Sequence, residues 1–507
     1  MIRNSTFIRV LLIAAVVVAL EVLCRYGIIG RLTMVPPSQM VTKLASLMGG
    51  DRFWGQVMSS VRNILVAAFL ALVVGFIGGV ILHALPRLRR ALEPVMVSYY
   101  ALPFFVFYPL AIVIFGMNNI PIILMGFLYA LIAMVTNTIS GIDRIPPVLS
   151  KVSNTFRLGP VRSALLIKLP AAAPYLFTGA KLALGYSIAG VIGSEFILSG
   201  AGLGYSISYA YNDFDNATMY AMLLFVIALV TALLTLLNSA EKHLHYDAAS
   251  GKVAGITGIP AAGMAVRIAE GIVVTLVIVG AWQLVHNYGG SEVLTSPADT
   301  VKRLTVLLQS ESFHGHMQET LNALWVSLLI SCIGGAAIGI LLGANRRLGQ
   351  VFEPLIVTFQ AIPKVTLYPV ILLLFGLGFT AKVAFGAMHG LVPMTLITLN
   401  AIRSLNPSLK RTARAFRLSA VQAFGTVYIP ATVPEIVTAM RLSFSVTFLG
   451  VMVGEMFASK RGLGFMIMNG ISINDVSTMM AITLLIGLFA VVANGILLAI
   501  DNRLHWR

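Results

Sequence analysis

The sequence predicts an all-α polytopic membrane protein with about 12 transmembrane helices, built as two parallel six-helix repeats. Three observations carry that expectation. Of 507 residues, 58% are hydrophobic and only 11% charged, at a mean hydropathy of +0.91; a soluble globular chain carries about 25% charged residues. About twelve apolar runs reach the roughly 20 residues that a spanning helix needs. The chain also matches itself at an offset of 260, since 354 − 94 and 430 − 170 both give that value for Pro354/Pro94 and Pro430/Pro170.

In chain order, the runs fall near 8–28, 61–85, 94–116, 120–141, 172–198 and 217–240. The second set falls near 268–288, 321–345, 354–376, 380–402, 432–458 and 477–500. Arg3, Arg9 and the apolar stretch Val10 to Leu20 have the outline of a signal peptide. No small-residue cleavage site follows, Cys24 is preceded by Val22-Leu23, and the counterpart Ile268 to Val285 lies mid-chain. Both are therefore expected to be transmembrane helices. The register holds without a gap through Pro37/Pro297, Glu93/Glu353, Pro103/Pro363, Tyr108-Pro109/Tyr368-Pro369, Glu195/Glu455 and Asp215/Asp475. An even number of spans per half returns the chain to its starting side, which makes the repeats parallel. The expected segments are a leading helix and loop over 1–56, a core over 57–241 and a linker over 242–266. A second leading helix and loop then cover 267–316, a second core 317–501 and a tail 502–507.

The formal charge is +16, yet the basic residues sit in short loops beside apolar helices, so they report topology rather than a nucleic-acid surface. Arg87, Arg89, Arg90, Arg144 and Lys168 lie on one side, as do Arg346, Arg347, Arg403, Lys410 and Arg503. That side is expected to be cytoplasmic, with both termini on it. Cys24 and Cys332 lie in apolar stretches and have no metal-ligand spacing. His243 and His245 read as a solvated helix end before a Gly-rich linker.

Two loops on the basic side carry the main functional signal. The first runs Lys151-Val-Ser-Asn-Thr-Phe156-Arg157-Leu158-Gly159, the second Arg411-Thr-Ala-Arg414-Ala-Phe416-Arg417-Leu418-Ser419. Each is expected to be a short amphipathic helix outside the bilayer that presents its Phe to a groove on a partner, with Arg beside it. An aromatic anchor next to arginine has the composition of an interface hot spot. Topology alone needs charge but no repeated Phe-Arg-Leu. Glu195 and Glu455, near the outer ends of the fifth helices, are candidates for a gate or pathway; the alternatives are a headgroup-zone carboxylate or one bonded to the amides of the following Gly-rich loop. Lys181 and Arg441, early in the same helices, either snorkel to the interface or line an inner vestibule. Gly75, Gly78, Gly79, Gly334, Gly335 and Gly339 are expected to allow close helix approach. The phosphate-cradling Gly-x-x-x-x-Gly-Lys-Ser/Thr loop is missing from the sequence, as is any nucleophile or metal constellation. An enzyme is not expected.

The two loops, each leading through Ile167-Lys-Leu169-Pro170 or Tyr428-Ile429-Pro430 into an apolar helix, resemble the EAA loop of ATP-binding-cassette (ABC) importer permeases of the type I fold. Ala361-Ile-Pro-Lys-Val-Thr-Leu-Tyr-Pro369, Phe375-Gly-Leu-Gly378 and Gly454-Glu455-Met-Phe-Ala-Ser-Lys-Arg-Gly-Leu-Gly464 are similar to the nitrate/taurine/sulfonate branch, and the likeness covers nearly the whole chain, twice. It implies two permease halves fused in one chain of a bacterial inner membrane. It also implies an ATPase dimer that binds ATP-Mg, docked at the two loops, with no cofactor on this chain. A periplasmic or lipid-anchored binding protein would deliver a small anion or heterocycle. The departures are Lys151 and Arg411 where the loop's Glu is usual, and Arg157 and Arg417 where its Gly is usual. A fused ferric-ion permease and a secondary transporter with parallel repeats are the alternatives; the first lacks support from the Ala-Ile-Pro and Gly-Leu-Gly motifs. The second would place coupling groups near the bilayer midplane.

Overall fold

The computed structural model describes residues 2–30, 32–243, 263–290 and 293–505. His245 and most of the expected linker lie outside the described residues. The first half consists of α1 (Ile2–Arg25), α2 (Pro37–Met48), α3 (Asp51–Ala84), α4 (Pro86–Tyr99), α5 (Tyr108–Phe115), α6 (Asn119–Asp143), α7 (Pro147–Thr155), α8 (Leu169–Ile197), α9 (Leu203–Asn212) and α10 (Asn216–His243). The second repeats it as α11 (Met264–Gly289), α12 (Pro297–Leu307), α13 (Glu311–Ala344), α14 (Arg346–Ala361), α15 (Tyr368–Phe375), α16 (Phe379–Ser404), α17 (Pro407–Ala415), α18 (Ile429–Ala458), α19 (Leu463–Ser472) and α20 (Val476–His505). From α3/α13 onward, twin helices start 260 residues apart.

Among the described residues ten helices are long and apolar enough to cross a membrane, or up to 12 if each bent pair counts as one span. The outward face of α3 shows why the surrounding solvent is lipid. Leu65, Phe69, Val73, Ile77 and Ile81, one helical turn apart, are all exposed, a continuous apolar stripe that water would penalise.

The structure corrects the third span of each half. The runs expected as single helices over 94–116 and 354–376 are broken, and the chain turns by 95° between α4 and α5 and again between α14 and α15. Pro103 and Pro363 lie in the gaps, Pro109 and Pro369 open the next helices, and 3₁₀ turns (Phe104–Phe107, Lys364–Leu367) join them. Proline has no N–H and its ring clashes with the preceding turn, so two prolines six residues apart end one helix and start another. The Tyr108 hydroxyl donates to the Leu198 carbonyl, and Tyr368 to that of Gly454 at 2.8 Å, pinning each bend to the neighbouring long helix.

α8 and α18 are extended backward by π-helical turns, Ala164–Lys168 and Phe424–Tyr428. Pro170 and Pro430 have no N–H for the carbonyl four residues back, and the Leu169 amide instead reaches Ala164. α3 packs on α6, and α13 on α16. A Cβ at Gly75, Gly79, Gly335 or Gly339 would press into Met134, Thr138, Met394 or Thr398, whereas Gly78 and Gly334 have ordinary room. Four of the six glycines thus let helices approach closely.

The halves share one core. Phe196 of α8 lies 4.4 Å from Phe457 of α18, and Tyr368 stacks edge-on against the same ring. The 3₁₀ turn of each half packs against the long fifth helix of the other. The leading helices are exchanged: α1 packs on α14, and α11 on α4, where Arg90 grips Glu270 at 2.6 Å. At the basic end, Arg89 of α4 holds Asp143 of α6 through two contacts of 2.8 and 3.2 Å. In the second half the signs are reversed, and Glu353 of α14 pairs with Arg403 of α16.

Candidate functional site

Immediately after those ion pairs come α7 and α17. Pro147 and Pro407 start them, where a missing N–H costs nothing. Both end in the same way. Arg157 and Arg417 adopt φ of 48° and 51°, the left-handed region that usually selects glycine. The Leu158 amide bonds the Ser153 carbonyl at 3.0 Å, the Arg157 amide that of Asn154, and the Leu418 amide that of Ala413 at 3.1 Å. This is a Schellman cap with arginine at its left-handed position. Phe156 and Phe416 therefore are not on the helices, as the sequence led one to expect, but on the capping turns. Phe156 and Phe416 are 72% and 75% exposed.

Lys151, Arg157, Arg411 and Arg417 are exposed around them, and Leu158 and Leu418 are half-buried beneath. The Arg414 side chain lies outside the described residues. Gly159 has open space around it. Ser419 takes part in a reciprocal cap, its amide donating to Gln422 at 3.0 Å and its hydroxyl accepting from the Gln422 amide at 3.3 Å. Ser153 and Ser163 bond across the first loop at 2.7 Å and tie α7 to the π-turn that leads into α8. The first loop is thereby joined, through the π-turn, to the long fifth helix.

At the opposite end Glu195 and Glu455 are fully buried and hold the Gly-Leu-Gly loops. Glu195 accepts from the Ser60 hydroxyl at 2.6 Å and the Gly204 amide at 3.2 Å, while Ser60 accepts from the Leu203 amide. Glu455 accepts from Thr320 at 2.8 Å and Gly464 at 3.0 Å, while Thr320 accepts from the Leu463 amide. Gln56 and His316 take the preceding Gly202 and Gly462 amides. Each carboxylate sits at the N-terminus of α9 or α19, where the helix dipole favours negative charge. Of the sequence alternatives, the bond to loop amides is the one present in the geometry.

Two lysines went unweighed as sites in the sequence. Lys382, only 1% exposed, lies 2.9 Å from Glu319 and 3.7 Å from Glu455, and its ammonium donates to the Arg461 carbonyl. Its twin is Ile122, so a charge inside an otherwise apolar run was the available signal. Lys364 opens the second 3₁₀ turn, and its ammonium donates to the carbonyl and side chain of Gln360 at 3.3 and 3.2 Å. Arg441 is 3.9 Å from Asp501, held to α20 rather than extended alone to the surface; Lys181 is half-exposed. A cavity of about 1040 Å³ in the second half is walled by Leu342, Phe352, Phe359, Val383, Met388 and other mostly apolar side chains, which suits hydrocarbon and not a charged solute. Among the described residues no cluster of His, Cys, Asp and Glu is placed to hold a metal ion.

Comparison with known proteins adds the following. The family described as "Binding-protein-dependent transport system inner membrane component" matches residues 64–246 and again 335–506. A putative aliphatic sulfonates transport permease protein, SsuC of Bacillus subtilis (strain 168), is 26% identical over 241 residues, 47% of this chain and 87% of that protein. The nitrate import permease protein NrtB of Leptolyngbya laminosa is 28% identical over 174 residues, 34% of this chain and 62% of that protein. The bicarbonate transport system permease protein CmpB of Synechocystis sp. is 30% identical over 162 residues, 32% of this chain and 58% of that protein.

Proposed function

Because this chain belongs to the family of binding-protein-dependent transport system inner membrane components and carries its domain twice, we propose that it is the transmembrane permease subunit of an ABC importer. In this reading both halves of the pore come from a single polypeptide. Two ATPase subunits dock on the capping turns that carry Phe156 and Phe416, and an external binding protein delivers solute at the Gly-Leu-Gly end. The basic end is cytoplasmic, with both termini, and the membrane is the bacterial inner membrane. ATP-Mg is bound and hydrolysed by the partner subunits.

The observation that carries the proposal is the matched pair of exposed Phe-Arg turns, 260 residues apart and each capped by a left-handed arginine. A two-fold ATPase dimer needs two equivalent footholds; a secondary transporter needs none. Closure of the ATPases on ATP would push Phe156 and Phe416 inward. The push would pass through the π-turns to α8 and α18 and rock the halves between inward- and outward-facing states. Lys151, Arg157, Gly159, Arg411, Arg417 and Ser419 shape the surface around each foothold, with Leu158 and Leu418 beneath. Glu195 and Glu455 serve the gate by fixing the outer loops on which the binding protein would seat; Lys181 and Arg441 lie at the inner ends of the moving helices. The relatives favour a small anion such as a sulfonate, nitrate, taurine or bicarbonate, or a small heterocycle, over ferric ion.

Phe156→Asp with Phe416→Asp tests this. Hot-spot truncations cost about 2 kcal/mol or more each, so the ATPase is expected to be lost on purification and vanadate-sensitive uptake of a labelled panel to stop, while the permease stays in the membrane. Co-purification of the ATPase at wild-type level with the double variant would overturn the docking assignment.

A further inference from the structure

We propose that Lys364 is a membrane-embedded subsite for the negatively charged group of the solute as it passes between the halves. This rests on the importer reading above and names the chemistry of its pathway.

The position comes first. Lys364 follows Pro363 at the 95° bend, 18 residues beyond Arg346 at the basic end (364 − 346). His389, within its electrostatic reach, stands midway along the spanning helix α16, about 15 Å from Phe379 and about 21 Å from Arg403 at 1.5 Å per residue, beyond the snorkelling reach of a lysine in either direction. Its 3₁₀ turn packs against α8 of the other half, which puts it at the seam where the two halves would part. Although deep, the side chain is only half-buried.

Compensation comes second. An ionisable group at membrane depth is costly unless it is paired. Lys382 obeys this rule, with Glu319 and Glu455 around it. Lys364 does not. Its hydrogen-bonding contacts are the two neutral oxygens of Gln360, and no carboxylate among the described residues lies within salt-bridge distance. His389, buried on α16 and within electrostatic reach of Lys364, has Nδ1 on the Phe385 carbonyl at 2.9 Å and brings no negative charge.

Asymmetry comes third. The twins of Lys364 and His389 are Phe104 and Tyr129, whose rings lie 6.0 Å apart in the first half. Tyr99 and Tyr186 extend this aromatic wall. One side of the seam is therefore aromatic and neutral, the other cationic and without a counter-ion. A sulfonate, carboxylate or nitrate group supplies the missing charge in transit and leaves when the seam closes. A neutral heterocycle has nothing to offer Lys364.

The test uses the whole transporter, permease with its ATPase and binding protein, in liposomes. The probes are labelled taurine, ethanesulfonate, nitrate, bicarbonate and a neutral pyrimidine. Lys364→Met is expected to lower uptake of the anionic probe about tenfold or more, the loss of one charge-assisted contact. Binding-protein-stimulated ATP hydrolysis should persist, and Lys364→Arg should retain most uptake. Wild-type anion uptake by Lys364→Met, or wild-type transport of the neutral pyrimidine alone, would overturn the subsite and leave the importer reading standing. Equal loss of uptake, ATP hydrolysis and monodisperse protein in both variants would also overturn it, as the mark of a structural lysine. Absence of ATP-dependent uptake of every probe by the wild type would sink the importer reading and this proposal with it.

Discussion

Gly462→Ala probes the clasp that seats the second outer loop. Gly462 has φ of +121°, where an L side chain costs roughly 1–2 kcal/mol. A Cβ there would overlap the Glu455 carboxyl group. The carboxylate can retreat only by giving up the Thr320 hydroxyl at 2.8 Å and the Gly464 amide at 3.0 Å. Hydrogen bonds to charged groups are worth about 1.5–3 kcal/mol each, so the total cost is roughly 4–8 kcal/mol. That is a large share of a domain stability of about 5–15 kcal/mol. If each half melts as a unit of about 200 residues, the melting temperature falls by at least roughly 8 °C. The assay is heating of detergent-solubilised protein followed by size exclusion. Gly271→Ala is the control, since its Cβ would meet nothing within 4 Å; it should be neutral or gain about 0.5–1 kcal/mol. A Gly462→Ala protein that melts within roughly 2 °C of wild type would refute the argument that the buried carboxylate and this loop are packed as one unit.

Acid should weaken the outer loops in a defined window. Burial works against ionisation of Asp475, but the Thr478 hydroxyl and amide together with Arg303 outweigh it and hold the carboxyl below its ordinary range; Thr218 and Lys43 do the same for Asp215. A carboxyl depressed on folding stabilises the fold above its unfolded value, about 3.9, and loses that contribution as pH falls through the folded one. Melting temperature should therefore drop below about pH 4, and less steeply in Asp475→Asn with Asp215→Asn. At the other end, Arg157→Gly with Arg417→Gly should relieve about 1 kcal/mol of left-handed strain at each cap and slow amide exchange in α7 and α17, whereas Arg157→Ala should not. If both substitutions leave exchange unchanged, the caps hold no such strain.

The parts of the fold that depend on periodicity were legible in the sequence. The 260-residue register places almost every helix start, because hydropathy and cap residues were duplicated together. The 95° bends escape a hydropathy window, because the apolar residues around Ser98, Gln360 and Lys364 keep its average high straight through Pro103 and Pro363. The pairing of Pro103 with Pro109 was the signal. The exposure of Phe156 and Phe416 was legible but not their place on a turn, because arginine gives no warning of positive φ. The repeat itself hid Lys382 and Lys364. A repeat marks positions where the halves agree, whereas these two are charged where Ile122 and Phe104 are not.

The exchange of leading helices has a consequence for biosynthesis. α1 leaves the ribosome first, yet its contact in the other half, α14, begins 321 residues after α1 ends (346 − 25). At roughly 5–20 residues per second, α1 waits about 16–64 seconds in the bilayer before its partner exists. Glu21 bridges the interval, joining Arg25 at 2.6 Å and the Ser38 hydroxyl at 2.6 Å so that α1 is tied to α2 from the start. α11 reaches its partner α4 at once, already made. The two halves, alike in sequence register, therefore enter the membrane under opposite conditions, and late-arriving α14 closes the assembly around a helix that was waiting for it.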